Sequence, residues 1–326
     1  MKLASPVFIT GGAGFIGSWV VRQFLQQGIK VVVLDNFSSG KLENLKGSID
    51  SRSPYLKIVE GDIRSTSDLK SAIGGCCAVV HLAAMVSVPK SLENPLMCHE
   101  INVGGFQNVL ESAREEGIRR VVYSSSSAVY GRQHDFPIKE TAPTSPLSPY
   151  GASKLMNEVL AATYAESYHF QTIGLRYFNV FGPGQNPDGD YAAVIPKWIR
   201  ALIQGEQISI YGDGSAVRDF IFVEDVAKAN VKSAVLEFDQ PGSHILNVGS
   251  GRPISLLQLV EKLNNIAIRR GKNLSVSEPR RQSARVGEIP KSFADVSKMH
   301  ILLSFSDSSD FEMGLEVTFQ SMLRAV

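Results

Sequence analysis

Near its amino terminus the chain reads VFITGGAGFIG over residues 7–17, a short apolar run that enters a glycine cluster and continues into an amphipathic stretch. The glycines match a G-x-x-G-x-x-G spacing from Gly11 and a G-x-G-x-x-G spacing from Gly12. This pattern predicts a strand, a tight turn and a helix whose first N–H groups can bind a diphosphate. Because Asp35 ends the second predicted strand and its carboxylate can accept hydrogen bonds from ribose hydroxyls, the sequence predicts a dinucleotide site.

Asp35 also indicates which dinucleotide binds. A carboxylate at this position repels a 2′-phosphate, so the sequence favours NAD over NADP. Asn36 and Lys41 weaken that preference only slightly. The cofactor contacts predicted from this region are Gly11, Gly14, Phe15, Ile16, Gly17, Asp35 and Asn36.

The first half of the chain alternates short apolar runs with longer amphipathic stretches. Predicted strands cover residues 7–10, 31–35, 56–60, 78–81, 120–124 and 172–176, with predicted helices at 17–27 and 103–116 among the segments between them. Nearly continuous apolar runs are typical of strands covered on both faces. The alternation therefore predicts an α/β fold with a Rossmann-type, doubly wound parallel sheet.

The sequence pattern changes after residue 176. Residues 181–190 are rich in Gly, Pro, Asn and Asp and predict a loop, as does the basic stretch at 279–285. Helices and short strands between these loops predict a smaller C-terminal α/β substrate lobe. We expect an NAD-binding Rossmann domain at 1–180, to which 219–250 return, and a lobe made of 181–218 and 251–326.

Composition and charge exclude several classes of protein. The 326 residues carry 33 Lys+Arg and 32 Asp+Glu, so the net charge of +1 gives no general attraction to nucleic acid. No apolar run reaches the roughly 18–20 residues of a membrane span, and the amino terminus does not resemble a secretory segment. Three cysteines without metal-ligand spacing favour neither a disulfide framework nor a metal site. We expect a soluble, cytoplasmic protein without a nucleic-acid or membrane partner.

Two further segments follow predicted strands and are candidates for the cofactor site. Asp62, followed by Ile63, comes after the third strand and can bond the amino group of an adenine, although it can also cap the next helix. Leu82, Ala83 and Ala84 follow the fourth strand, where small residues allow a cofactor to lie close to the backbone.

A tyrosine and a lysine four residues apart form the candidate catalytic pair. On a helix Tyr150 and Lys154 share one face. A nearby ammonium favours phenolate, and lowering a tyrosine pKa from ~10 toward ~7 requires about 4 kcal/mol of differential stabilisation. The serine run at residues 124–127 follows a strand, and a serine there can bond a substrate hydroxyl and relay its proton to Tyr150. The sequence thus predicts a lowered Tyr150 pKa.

Together these motifs resemble the extended short-chain dehydrogenase/reductases, and more closely the nucleotide-sugar 4-epimerases that act on UDP-glucose and UDP-N-acetylglucosamine. The similarity covers residues 7–298. Besides the motifs above it rests on RYFNVFGP (176–183), YGDG (211–214), RDF (218–220), NVGSG (247–251) and GEIP (287–290).

The resemblance implies roles for individual residues. The catalytic residues would be Ser126, Tyr150 as the base and Lys154 as its partner at the cofactor ribose, with Ser125 or Ser127 as alternatives for the hydroxyl. Asn179, Arg218 and Arg285 would lie at the sugar diphosphate, and Ser292 would occupy the gate position, where a small side chain leaves room for a 2-acetamido group. The implied substrate-binding residues are Ser87, Ser126, Asn179, Arg218, Arg285 and Ser292.

The resemblance also implies the type of reaction. Similar 4,6-dehydratases carry an Asp-Glu pair directly after the catalytic Thr or Ser, where this chain has Ser127 and Ala128, and similar decarboxylases usually carry Glu in place of Ala128. The expected reaction is therefore inversion at C4 of a UDP-sugar through a transient 4-keto intermediate with tightly bound NAD.

Several points stay open at the level of sequence. The segment at 87–91 resembles the branch that acts on UDP-N-acetylglucosamine, so we expect UDP-GlcNAc/UDP-GalNAc as substrates, with UDP-glucose/UDP-galactose also accepted. Alternatives are a UDP-glucuronate 4-epimerase, another NAD-dependent nucleotide-sugar dehydratase or reductase, and a non-catalytic NAD-binding sensor. The resemblance further implies a homodimer in which the helix at 103–116 and the helix after Tyr150 form a four-helix bundle.

Overall fold

A large parallel sheet forms the centre of the molecule. The computed structural model describes residues 5–46, 55–188, 192–237, 239–271, 279–283, 289–305 and 309–324. Within these residues the sheet has seven strands in the order β3-β2-β1-β4-β5-β6-β10. They are β1 (Val7–Thr10), β2 (Val31–Asp35), β3 (Leu56–Glu60), β4 (Ala78–His81), β5 (Arg120–Ser126), β6 (Gln171–Tyr177) and β10 (Gly242–Val248).

The sheet is wound in both directions from β1. Val7 lies opposite Val31 of β2 on one side and Ala78 of β4 on the other. The order of the strands reverses at this point, so the connections leave opposite faces and open a crevice at the carboxyl ends of β1 and β4. This topology confirms the predicted doubly wound α/β fold.

Helices cover both faces of the sheet. On one face α1 (Phe15–Gln26), α9 (Val223–Val235) and α11 (Ser297–Leu302) pack through a core that includes Phe24, Val226 and Met299. On the other face the covering helices are α3 (Thr66–Ile73), α6 (Gly105–Glu115) and α7 (Pro149–Tyr168). Short helices α2 (Leu42–Lys46), α4 (Val88–Glu93) and α5 (Pro95–His99), a π turn (Glu100–Gly104) and a 3₁₀ turn (Ser127–Val129) complete this half.

A smaller sheet lies beyond the carboxyl end of the large one. Its central strand is β9 (Val217–Phe222), which pairs with β7 (Asn179–Phe181), β11 (Pro253–Ser255) and β13 (Lys291–Ser292). A two-stranded pair, β8 (Ser209–Tyr211) and β12 (Arg280–Gln282), and the helices α8 (Val194–Gln204), α10 (Leu256–Arg269) and α12 (Phe311–Arg324) surround it. The division into two domains at the boundaries given above stays a prediction.

The two halves are joined by a direct backbone and ring contact. Ile138, in the segment after β5, forms a parallel bridge with Ala294, in the segment after β13. The rings of Phe136 and Phe293 stack beside it, with centroids 5.2 Å apart. The segment that follows the serine run is therefore tied to the strand that carries Ser292.

The structure was also searched for membrane spans. Among the described residues, none of the helices combines the length and apolar character needed to cross a bilayer. The cytoplasmic location stays a prediction.

Candidate active site

The glycine turn after β1 is packed closely against its neighbours. Gly11 has φ +70°, and a Cβ there would lie 2.6 Å from the backbone nitrogen of Ala83. A Cβ on Gly17 would lie 2.1 Å from the carbonyl oxygen of Gly11, inside any permitted contact. Because glycine alone fits both positions, the turn brings the start of α1 and the segment after β4 to the same crevice.

The start of α1 provides backbone donors for an anion. Gly14 is the N-cap residue, and within the described chain no side chain caps this helix. Phe15 and Ile16, which follow it, are only partly buried. Uncapped N–H groups at a helix N-terminus, together with the helix dipole, favour a phosphate. The residues present here therefore fit the diphosphate of a dinucleotide.

Asp35 lies at the end of β2, next to this turn. One of its carboxylate oxygens accepts from the backbone nitrogen of Ala13, and the other accepts from that of Phe37, both at 2.9 Å. Each carboxylate oxygen can accept a second hydrogen bond. The carboxylate is thus held in place while it keeps acceptor capacity for ribose hydroxyls.

Asp62 already has strong partners in this structure. It accepts from the guanidinium of Arg64 at 2.9 Å and from the side-chain amide of Asn36 at 2.8 Å. The side-chain hydrogen bond from Arg64 is the largest cause that holds the pKa of Asp62 well below its usual range. Ile63 is buried in the core against Gly105, so only its backbone is in a position to contact a cofactor.

The segment after β4 is fixed by polar contacts with β1. The Thr10 hydroxyl lies 2.8 Å from Nδ1 of His81, and the backbone nitrogen of Leu82 donates to the carbonyl of Thr10 at 3.1 Å. His81 is fully buried, and burial lowers its pKa to about 3, so it stays neutral and serves the packing of the strand. Ala83 and Ala84 then line the crevice with small, partly exposed side chains.

Tyr150 and Lys154 lie on α7 where it passes the end of β5. Ser126 is within hydrogen-bonding reach of the Tyr150 hydroxyl. The Nζ atom of Lys154 donates to both the carbonyl oxygen and the hydroxyl of Ser124, each at 2.9 Å. Ser125 points elsewhere and donates to Glu158 at 2.6 Å. Of these three serines, the structure places Ser126 against the tyrosine.

The pKa of Tyr150 differs from the sequence-based expectation. Burial raises this pKa, and the hydrogen bond with Ser126 acts in the opposite direction. Burial also lowers the pKa of Lys154 to about 8. The expected lowering of the Tyr150 pKa is therefore wrong for the protein alone, because desolvation raises this pKa by more than the hydrogen bond with Ser126 lowers it. A further positive charge in the crevice would be needed to favour the phenolate.

Asn102 is a residue of this site that the sequence analysis missed. It lies in the π turn before α6 and is fully buried. Its side-chain amide bonds both the nitrogen and the carbonyl of Met85, at 2.7 and 3.0 Å, and donates to the Ser153 hydroxyl at 3.0 Å. Asn102 thus ties the segment after β4 to the helix that carries Tyr150. The available signal was a polar residue four positions before Phe106, on the apolar face of the helix.

The predicted substrate residues gather around β9. Asn179 donates to the carbonyl oxygen of Asp219 at 3.0 Å, and Ser292 of β13 lies in register with Arg218 of β9. The buried carboxylate of Asp219 accepts from the backbone nitrogens of Ser250, Gly251 and Ala294 and from the Ser250 hydroxyl. Asp219 therefore fixes the strands that place Arg218 beside Ser292.

Two of the other predicted substrate residues lie on different elements, with Ser126 at the end of β5 and Ser87 before α4. Ser87 is the N-cap of α4, where its hydroxyl accepts from the backbone nitrogen of Lys90 at 3.3 Å. The same helix is linked to α7, because the backbone nitrogen of Tyr150 donates to the Ser91 hydroxyl at 3.1 Å. Arg285 lies outside the described residues.

Comparison with known proteins matches this architecture. Residues 7–249 match the model of the NAD dependent epimerase/dehydratase family. The chain is 35% identical over 298 residues to a putative UDP-glucose 4-epimerase of Methanocaldococcus jannaschii, which covers 91% of this chain and 92% of the relative. It is 32% identical over 322 residues to a UDP-glucuronate 4-epimerase of Thermodesulfobacterium geofontis, which covers 95% and 94%.

Solved structures show the same similarity. A UDP-N-acetylglucosamine 4-epimerase from Methanobrevibacter ruminantium M1, in complex with UDP-N-acetylmuramic acid, superposes with a TM-score of 0.91 at 36% identity and covers all of both chains. A Thermus thermophilus UDP-glucose 4-epimerase in complex with NAD gives a TM-score of 0.85 at 31% identity, over 98% of this chain and all of that one. The glycine turn, the Asp35 carboxylate and the Tyr150–Lys154 helix fit an NAD-dependent enzyme, and the chain belongs to the NAD dependent epimerase/dehydratase family.

Proposed function

We propose that the protein is a UDP-sugar 4-epimerase that inverts C4 through a transient 4-keto sugar. The observation that carries this proposal is the arrangement of Ser126, Tyr150 and Lys154 at the carboxyl ends of the strands, beside the glycine turn of β1. Ligands of doubly wound sheets bind at this edge. NAD, when bound, supplies a hydride acceptor and donor and the positive charge of its oxidised ring.

The chain's own groups handle the proton of the sugar hydroxyl. Tyr150 accepts the proton from the 4-hydroxyl and later returns it, and Ser126 holds that hydroxyl against the phenol oxygen. Ala128 and Ser127 follow the serine and offer no carboxylate, so water elimination and decarboxylation lack an acid or base at this point. Inversion at C4, with the hydride that bound NAD would take up and give back, is then the simplest outcome.

We further propose that UDP-N-acetylglucosamine and UDP-N-acetylgalactosamine are the preferred pair, with UDP-glucose and UDP-galactose also accepted. The support is the small side chain of Ser292, which lies next to Arg218 on paired strands. If the Arg218 guanidinium holds the diphosphate, the neighbouring Ser292 faces the sugar. Its small side chain then leaves space for a 2-acetamido group. Arg218 suits a diphosphate because its guanidinium can donate two hydrogen bonds at once.

This assignment is tested by incubating the protein separately with UDP-glucose, UDP-N-acetylglucosamine and UDP-glucuronate. The C4 epimers are resolved by NMR. We expect product from the first two sugars and the higher kcat/KM for the acetamido sugar. If only UDP-glucuronate is turned over, the proposed substrates are wrong and the protein is a UDP-glucuronate 4-epimerase. Bound NAD without epimer from any of the three would favour the non-catalytic sensor.

The substitution Ser292→Tyr tests the substrate wall. A tyrosine there would fill the space for the acetamido group, so we expect kcat/KM for UDP-N-acetylglucosamine to fall at least tenfold, equivalent to about 1.4 kcal/mol. The value for UDP-glucose should change by less than about threefold. Lys291→Ala, on the adjacent exposed position of the same strand, is the control. An equal loss for both sugars would contradict the role of Ser292.

We also propose that the protein forms a homodimer in which α6 and α7 pair with their copies as a four-helix bundle. Large apolar side chains are exposed on α7 and on the neighbouring short helices α4 and α5, namely Met156, Val159, Leu92, Leu96 and Met97. An apolar patch of this kind is typical of a protein–protein interface. We expect sedimentation at twice the chain mass and a shift toward the chain mass for Val159→Glu. A monomeric wild type at micromolar concentration would contradict the dimer.

A further inference from the structure

Three consecutive serines at the end of β5 contact three different residues of α7. The pairs are Ser126 with Tyr150, Ser124 with Lys154, and Ser125 with Glu158. The three helix residues are four positions apart and therefore share one face. Each serine thus fixes a different turn of the catalytic helix. The contact of Ser124 differs from the other two because its carbonyl oxygen and its hydroxyl oxygen both bind the Lys154 ammonium.

The contact between Ser124 and Lys154 uses most of the lysine's donors. An ammonium has three N–H groups. Two of them are directed at the carbonyl and hydroxyl oxygens of Ser124, both at 2.9 Å. Lys154 is only 1% exposed and Ser124 only 7%, so water does not compete freely for these bonds. Among the described residues we find no acceptor for the third N–H.

We infer that Ser124 is a positioning residue for the reaction: it fixes the rotation of the Lys154 ammonium, so that one N–H is left for the cofactor ribose and the charge stays beside Tyr150. This inference rests on the proposed function, because it concerns the same site. A lysine held by two acceptors loses less rotational freedom when the cofactor binds. Without the Ser124 hydroxyl, a buried ammonium would keep an unpaired donor and could turn away from the phenol.

Two variants of the NAD-loaded enzyme test the inference. Ser124→Ala removes the hydroxyl, and Ser124→Cys keeps the volume but replaces the oxygen by a weak acceptor. We expect kcat to fall about tenfold to a hundredfold in both, the loss of one hydrogen bond to a charged group. KM for the UDP-sugar should stay within about twofold, because the contact does not touch the substrate. Ser124→Thr, which keeps the hydroxyl, should restore most of the rate.

The pH dependence gives a second readout. A less fixed ammonium favours the phenolate less, so the acid limb of the kcat profile should move to higher pH by about one unit. The ultraviolet absorbance of tyrosinate in the NAD-loaded protein without substrate should titrate at the same higher pH, with the change absent when Tyr150→Phe is added. This measurement does not depend on turnover.

Ser125→Ala is the matched control. Ser125 lies in the same run, is also buried and also bonds a charged group, but that group is Glu158. We expect a lower Tm with unchanged kcat, pH profile and tyrosinate titration. If Ser124→Ala behaves like this control, or like the wild type, the inference is wrong. If the wild type itself epimerises none of the UDP-sugars, the proposed function fails, while the titration still decides on Ser124.

Discussion

Replacing Tyr150 by phenylalanine should reduce kcat for C4 inversion by roughly 10²–10⁴-fold, the usual contribution of a positioned acid–base group. The phenol oxygen is the atom that Ser126 contacts and the base of the proposed reaction. Removing it leaves the ring and the helix in place. The bound NAD, measured by its release on denaturation, should stay within about twofold of the wild type because the glycine turn is intact.

Tyr168→Phe is the control for this experiment. Tyr168 ends the same helix, α7, and its side chain is exposed, so loss of its hydroxyl should leave kcat unchanged. Full turnover by the Tyr150 variant would remove the tyrosine from the mechanism. A loss of NAD together with activity would instead assign it to cofactor binding alone.

The substitution Glu158→Ala should destabilise the protein by about 3–5 kcal/mol, because it leaves a buried guanidinium without its partner. Arg176 of β6 bonds both carboxylate oxygens of Glu158, at 2.8 and 2.7 Å, and both side chains are buried. Ser125 donates to the same carboxylate. Urea and thermal unfolding measure the loss, and Glu158→Gln, which keeps the shape and part of the hydrogen bonding, should cost less.

Glu115→Ala provides the surface comparison. Glu115 pairs with Lys70 at 2.9 Å, but both side chains are about half exposed, so the free energy of unfolding should change by less than about 1 kcal/mol. If both variants lower the free energy of unfolding equally, the buried pair of Glu158 and Arg176 does not stabilise the contact between α7 and β6.

Most of the large sheet could be predicted from the sequence because its central strands are covered on both faces, whereas the edge strand β3 has no buried residue. Strands β1 to β4 have the predicted bounds, since each is a short apolar or β-branched run ended by a polar or glycine residue. The three-residue strands β7 and β12 were missed: the loop expected at 279–285 covers β12, and the loop expected at 181–190 overlaps β7 only at Phe181. Such strands depend on partners far along the chain, as β12 does on β8, and local composition does not report them.

For the candidate site too, the sequence predicted the local arrangement but not the features that depend on tertiary packing. The spacing of Tyr150 and Lys154 predicted that both lie on one face of a helix, which the structure shows. The direction of the Tyr150 pKa was wrong, because spacing does not reveal how strongly a group is desolvated. Asn102 was missed for a related reason: its partners, Met85 and Ser153, are brought to it only by tertiary packing.

The bridge between Ile138 and Ala294, with the Phe136–Phe293 stack beside it, has a consequence for how this enzyme could be altered. Since these two segments share backbone hydrogen bonds, neither can swing away as a hinged flap without breaking them. Substitutions that aim to make these two segments move more freely would therefore do little to change the sugar that the enzyme accepts. Exchanging individual wall side chains is the more direct route to altered selectivity.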